Sequence, residues 1–313
     1  MIFEKVTMED FAEAFGVGVA DVPEECRSIM NDLDFSYRVL AGAERDALIL
    51  EALKKNELDR QEIGAAERRN VWQEGWNQNL QEFVSGGHDL RSLVPKFIRP
   101  GRPIRLNREY VVPVNPMFEL DYFRVFREWL FRTYFGRAKS VYEFGCGTGF
   151  NLVELARLYP ETQLYGLDFV PASSDLVNQI AKAYNLKMVG RLFDMTAPDE
   201  SLLLDTDSAI FTFGSVEQLA GRFENFLQFL LRRSPAFCVH LEPIVELYEE
   251  DNLLDYLAIK FHKKRGYTEG LLPRLRELEA AGRVEVLKVK RLFFGSTFME
   301  GFSYVIWKPR KES

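Results

Sequence analysis

Between residues 143 and 151 the chain reads Glu143-Phe144-Gly145-Cys146-Gly147-Thr148-Gly149-Phe150-Asn151, with three alternate glycines between an apolar run and an amphipathic one. Glycine tolerates positive φ and lets the backbone approach a ligand at the start of a helix. Asp168 stands 23 residues after Gly145, at the end of the next apolar run, QLYGLDF. A carboxylate there can accept hydrogen bonds from ribose hydroxyls. A dinucleotide pyrophosphate site needs G-x-G-x-x-G, whereas the spacing here is G-x-G-x-G, preceded by Glu143. That carboxylate would repel phosphate and suits a cationic ligand. Cys146, inside the loop, reads as a small filler rather than a nucleophile.

A second set of residues could move protons. Glu217 follows the run SAIFTF, His240 and Glu242 lie in HLEP, and His262 opens a basic stretch in the insertion before the last two strands. The chain has 3 histidines, and an imidazole titrating near ~6.5 can take the proton of an acceptor hydroxyl or ammonium. His240 is the first choice, because its place on a strand fixes its side chain. Glu242, two residues on, points to the same side and could orient it or bind substrate. His88, in SGGHDL, reads as a loop residue.

The elements that must position these groups alternate in type. Strands are expected at 140–144, 163–169, 187–193, 208–213 and 236–243, with helices at 149–159, 172–184 and 216–232. Strands separated by helices imply a doubly wound, mostly parallel sheet covered on both faces. Runs 283–294 and 302–308, joined by Gly295–Gly301, read as an antiparallel hairpin ending the sheet.

With that loop, second-strand acid and final hairpin, residues 118–310 resemble the class I, Rossmann-like S-adenosylmethionine (SAM)-dependent methyltransferases of small-molecule type, whose first motif is similar to EFGCGTG. SAM carries an ammonium and a sulfonium and no phosphate, in keeping with Glu143. The resemblance implies a cofactor site of Glu143, Gly145, Cys146, Gly147, Gly149, Asp168, Phe169, Asp194, Met195, Phe213 and Gly214. In it, Asp194 would meet the adenine amino group, its neighbours would flank the ring, and Phe213 and Gly214 would line the methionine end. It also implies methyl transfer to a small molecule, more readily a hydroxyl of a sugar or secondary metabolite. FTFGSVEQ lacks the Asn/Asp-Pro-Pro-aromatic element with which enzymes of this type grip a planar amine. A SAM-binding scaffold without turnover and a nicotinamide-dependent oxidoreductase are the alternatives. The glycine spacing and Glu143 weigh against the second.

At 313 residues, with 47% apolar and 28% charged residues, the chain is globular in composition and longer than one ordinary domain. Residues 1–70 carry 16 acidic and 9 basic residues, so the whole net charge of −7 lies there. This front reads as helical. Residues 91–108 hold six Lys/Arg, no acid and three prolines, which suggests an extended basic arm. The expected division is therefore a helical cap with its arm at 1–108 and a SAM-binding domain at 109–313. Trp72 and Trp76 share a helix face in the cap, as core packing or as a substrate lid. Converging basic stretches, with Arg102 and Arg105 foremost, could hold an anionic acceptor. The acidic balance argues against a nucleic-acid partner. Three scattered cysteines suggest neither disulfides nor a zinc site, and no carboxylate cluster marks a metal. No run of apolar residues is long enough to cross a membrane, and a cytoplasmic location is expected.

Overall fold

The front of the chain contains strands as well as helices. The computed structural model describes residues 2–61, 63 and 67–310. Strand β1 (Glu4–Lys5) leads into helix α1 (Met8–Phe15), which a reciprocal capping box between Thr7 and Asp10 starts and Gly16, at φ +66°, ends. Helix α2 (Glu24–Asp32), strand β2 (Ser36–Val39), helix α3 (Gly42–Leu58) and helix α4 (Glu67–Ser85) follow. Strands β3 (Ile104–Leu106) and β4 (Glu109–Pro113) form a hairpin. Its two-residue turn, Asn107-Arg108, has both residues at positive φ, as a tight hairpin requires. A boundary at 108/109 would run through that turn, and the front is not helical throughout.

Helix α5 (Phe118–Tyr134) then leads into the second half: β5 (Ser140–Phe144), α6 (Phe150–Leu158), β6 (Gln163–Asp168), α7 (Pro171–Tyr184), β7 (Met188–Leu192), β8 (Ser208–Phe213), α8 (Glu224–Arg233) and β9 (Phe237–Leu241). Next come α9 (Leu253–Arg265), α10 (Leu271–Ala280), β10 (Val284–Lys290), β11 (Phe294–Gly295) and β12 (Tyr304–Pro309). The helix expected at 216–232 is split, with a short 3-10 turn at Val216–Leu219 preceding α8.

Seven strands form one sheet in the order β10-β12-β9-β8-β5-β6-β7. β5 to β9 are parallel, while β12 inserts antiparallel between β9 and β10. β5 lies at the centre with all five residues buried, Ser140 and Glu143 included. Alternate residues supply two cores: Val239, Leu241, Tyr304 and Ile306 face one, and Cys238, Val305 and Trp307 the other.

A smaller sheet, β1-β2-β4-β3-β11, closes on β11. The strand expected at 283–294 therefore ends at Lys290, and its Phe294, with Gly295 of the expected turn, crosses to Leu106 and Arg105. Front and sheet share one core. Phe15 stacks on Trp129 at 4.6 Å, Tyr122 on Phe294 at 3.8 Å, and the Tyr304 hydroxyl donates to Phe15 O at 2.8 Å.

Candidate active site

All the parallel strands end at one edge of the sheet, and the glycine loop leaves β5 there. Gly145, Gly147 and Gly149 have φ of +71°, +51° and +73°, a region that any other residue enters only with strain. Close packing adds to the requirement. A Cβ on Gly145 would lie 2.3 Å from that of Ser215, and one on Gly147 would lie 2.9 Å from the Trp76 ring. Gly145 N–H and Cys146 N–H both donate to Leu167 O, at 2.6 and 3.1 Å. This holds the loop against the end of β6.

Asp168 completes that junction. Its Oδ2 accepts from Gly147 N–H and its Oδ1 from Val170 N–H, both at 3.0 Å. Burial raises its pKa to about 6, against the lowering effect of these bonds. The loop and its acidic partner, paired in sequence only by spacing, are thus in direct contact. Phe169, beside them, is half-buried. Cys146 is buried with Sγ 3.4 Å from Ser173 Oγ, and burial pushes its thiol pKa well up.

Glu143 lies behind the loop, fully buried on β5. Its Oε1 accepts from Asn151 Nδ2 at 2.8 Å, while Oε2 has no hydrogen-bond partner. Burial lifts it to about 8, with Asn151 and the Arg127 charge acting in the opposite direction. Arg127, buried on α5, donates to Phe150 O at 3.2 Å and Asn151 Oδ1 at 3.3 Å and covers the Phe150 ring at 4.0 Å. Neither Arg127 nor Asn151 stood out in the sequence. The available signal is an asparagine in the first turn of the helix, two residues after the last glycine of the loop.

The remaining strand ends gather around this pair. Phe193 N–H donates to Asp168 O at 2.8 Å, which brings the end of β7 alongside. There Asp194 Oδ1 accepts from the amide and hydroxyl of Thr196, at 2.8 and 2.7 Å. Met195 is buried, with its methyl group 3.6 Å from the position of a Cβ on Gly145. Phe213 stacks on Phe123 at 4.7 Å and meets Phe97 of the arm at 6.0 Å. Gly214, at φ +56°, turns the chain into the Ser215 contact.

The candidate proton-transfer residues are placed differently. Glu242 is a clasp: Oε1 accepts from the Ser215 and Val216 amides at 3.2 and 3.1 Å, and Oε2 from that of Glu217 at 3.1 Å. Burial raises it to about 7. Glu217 is half-buried and accepts from Gln218 Nε2 at 2.7 Å. His240 is buried in the second core, with Nδ1 2.9 Å from Thr212 Oγ1 and its ring 6.1 Å from that of Trp307. Its Nε2 has no partner, and burial lowers its pKa to about 4. His262 is also buried, with Nε2 3.0 Å from Thr268 O and its pKa lowered to about 4 by burial. The structure does not join these histidines to the glycine loop. Among the described residues no group of three His, Cys, Asp or Glu could hold a metal ion.

The front covers this edge. Helix α4 runs along α7 and lays Trp76, stacked on Trp72 at 5.4 Å, over Gly147. Leu93 O accepts from the Thr148 hydroxyl at 2.7 Å, and His88 O from that of Tyr184 at 2.6 Å. Helical spacing gave the two tryptophans one face but not its destination. The basic arm does not present Arg105 to an acceptor. That side chain is fully buried and donates to Thr297 O, Leu254 O and Tyr110 Oη at 3.2, 2.7 and 3.3 Å, so the expected anion site loses one of its two leading residues.

No protein-family model matches the chain, and no curated protein does. Solved structures similar in trace include geranyl diphosphate C-methyltransferase from Streptomyces coelicolor A3(2), at 14% identity and TM-score 0.45, covering 77% of this chain and 98% of that one. A SAM-dependent methyltransferase from Aquifex aeolicus, at 18% and 0.41, covers 58% and 88%. PigF with SAH, at 13% and 0.45, covers 85% and 68%. The strand order, rather than these scores, identifies the fold: a seven-stranded sheet of the class I methyltransferase type, parallel but for an antiparallel strand inserted next to its edge.

Proposed function

We propose that the chain is a SAM-dependent methyltransferase acting on a small-molecule acceptor, at a hydroxyl group. The observation that carries this reading is the contact between Asp168 and the Gly147 amide at the carboxyl ends of β5 and β6. It supports a ribose-bearing ligand laid across the loop, with Asp168 accepting from the hydroxyls. The donor and acceptor set favours SAM over a dinucleotide. Glu143 keeps one buried oxygen unpartnered behind the loop, which suits a cation and disfavours phosphate.

When bound, SAM supplies an electrophilic methyl group on its sulfonium. The chain's own work is then positioning and exclusion of water. The glycines leave room at the loop, Asp168 orients the ribose, and Phe213 with Gly214 walls the far end. Glu242 fixes the 215–217 turn that borders the acceptor side. The burial and lowered pKa of His240 fit a packing role better than that of a base.

Calorimetric titration of the full chain with SAM and, separately, NADH tests the reading. Binding of SAM alone is expected, followed by release of S-adenosylhomocysteine (SAH) when a metabolite extract is added. NADH binding would support an oxidoreductase instead, and SAM binding without turnover a scaffold.

A further inference from the structure

Building on that reading, we infer that the amino-terminal half of α4 is a lid whose Trp76 occupies the ligand's place over Gly147, so that the lid must lift before SAM can bind. The missing side chain of Gly147 opens the loop on one side, and Trp76 fills that opening. Three of its ring atoms lie 2.9–3.5 Å from where a Cβ would be. A ligand approaching the same backbone as closely would collide with the indole.

The anchoring of α4 is uneven along its length. Residues 70–78, which carry both tryptophans, include no fully buried side chain, whereas Asn79 and Phe83 are buried. Asn79 Nδ2 donates to Ser92 O at 2.9 Å, and Glu82 Oε1 accepts from Lys96 Nζ at 2.9 Å. The carboxyl-terminal half is therefore pinned to the following segment, while the side chains of residues 70–78 are half-buried or exposed. Such a segment opens at much lower free energy than the core. Asn79 is the pivot.

Stopped-flow tryptophan emission on the full chain, with SAH as the probe, reads this directly. Trp129 and Trp307 are fully buried far from solvent, so a change reports on the lid pair. Opening before binding makes the observed rate level off as SAH rises. With an open population of about 1–10%, Trp76→Ala is expected to speed association by about tenfold or more and to remove the plateau. Trp76→Phe should keep the plateau. A readout without ligand is amide exchange along α4, expected to be faster at residues 70–78 than at 79–85. A rate that climbs linearly in the unaltered chain overturns the lid, as does a Trp76→Ala variant unchanged in association or equal exchange along the two halves of α4. Failure of SAH to bind both forms removes the cofactor reading and this proposal together, which sets that outcome apart from failure of the lid alone.

Discussion

Two groups of buried carboxylates in this molecule have opposite surroundings. Asp255 and Glu300 are both paired with Arg291, which makes 2.5 Å ion pairs to Asp255 Oδ1 and Glu300 Oε2 and is stacked near Tyr248 and Phe293. Glu143, Asp168 and Glu242 are buried as completely but, among the described residues, have no ion pair within 4.0 Å. Arg291 holds Asp255 below the usual carboxylate range despite its burial, while burial still raises Glu300 against the pull of the same guanidinium; with no such partner, Glu143, Asp168 and Glu242 are lifted by burial to about 8, 6 and 7. A saturated cluster holds elements together. The second group, at the strand ends, has backbone amides as partners and one oxygen with none, and it is there that we propose the cofactor binds.

The largest expected effect breaks the saturated cluster. Arg291→Met leaves two buried acids unpaired and should cost about 3–5 kcal/mol of stability in chemical denaturation. SAH affinity measured on the folded fraction should stay unchanged. Glu242→Ala comes next, because it strips the shared acceptor from three amides. A loss of about 1–3 kcal/mol is expected, with the acceptor KM rising more than the SAM Kd.

Glu143 sharpens the comparison through pH. Its folded pKa is raised above the ordinary 4.5 to about 8, so the ligand-free protein binds more protons than the unfolded chain over that interval. The contribution is full below 4.5 and is lost as pH rises through about 8. Glu143→Gln should therefore flatten the fall in Tm on the alkaline side. Because a cation prefers the ionised form, SAM should bind with proton release near pH 7, seen as a buffer-dependent calorimetric heat. At pH 9 the variant should bind SAM about tenfold more weakly.

His240 has the smallest expected effect on turnover. Burial lowers it from 6.5 to about 4, so its contribution to stability is full above 6.5 and lost as pH falls toward 4. His240→Gln should blunt that acid loss, seen as a flatter fall in Tm below pH 6.5, and leave kcat near that of the parent. A large fall in kcat with SAM affinity intact would return His240 to the reaction.

The parallel sheet and its loop were legible in the sequence because they are local. SVYEF and SAIFTF carry apolar residues on both faces, and the glycine positions need φ values that few other residues adopt cheaply. The front was less legible. SYRV is only four residues long, and Pro100 and Pro103 made the approach to β3 look like a plain arm. Its pairing with β4 and β11 is decided by tertiary contacts. The same reason hid Arg127, 24 residues from the asparagine it holds. It also separated the two readings of His240: strand position placed it near the expected edge, but the alternation of side chains turned it into the second core.

The central claim is that Asp168 holds the ribose of a bound SAM at the Gly145–Gly149 loop. Isothermal titration of Asp168→Ala with SAH, beside the unaltered chain and with far-ultraviolet circular dichroism to confirm folding, tests it most directly. Loss of two charge-assisted hydrogen bonds should weaken binding by roughly 100-fold or more. A folded Asp168→Ala protein that binds SAH within about twofold of the parent would remove Asp168 from the ribose site.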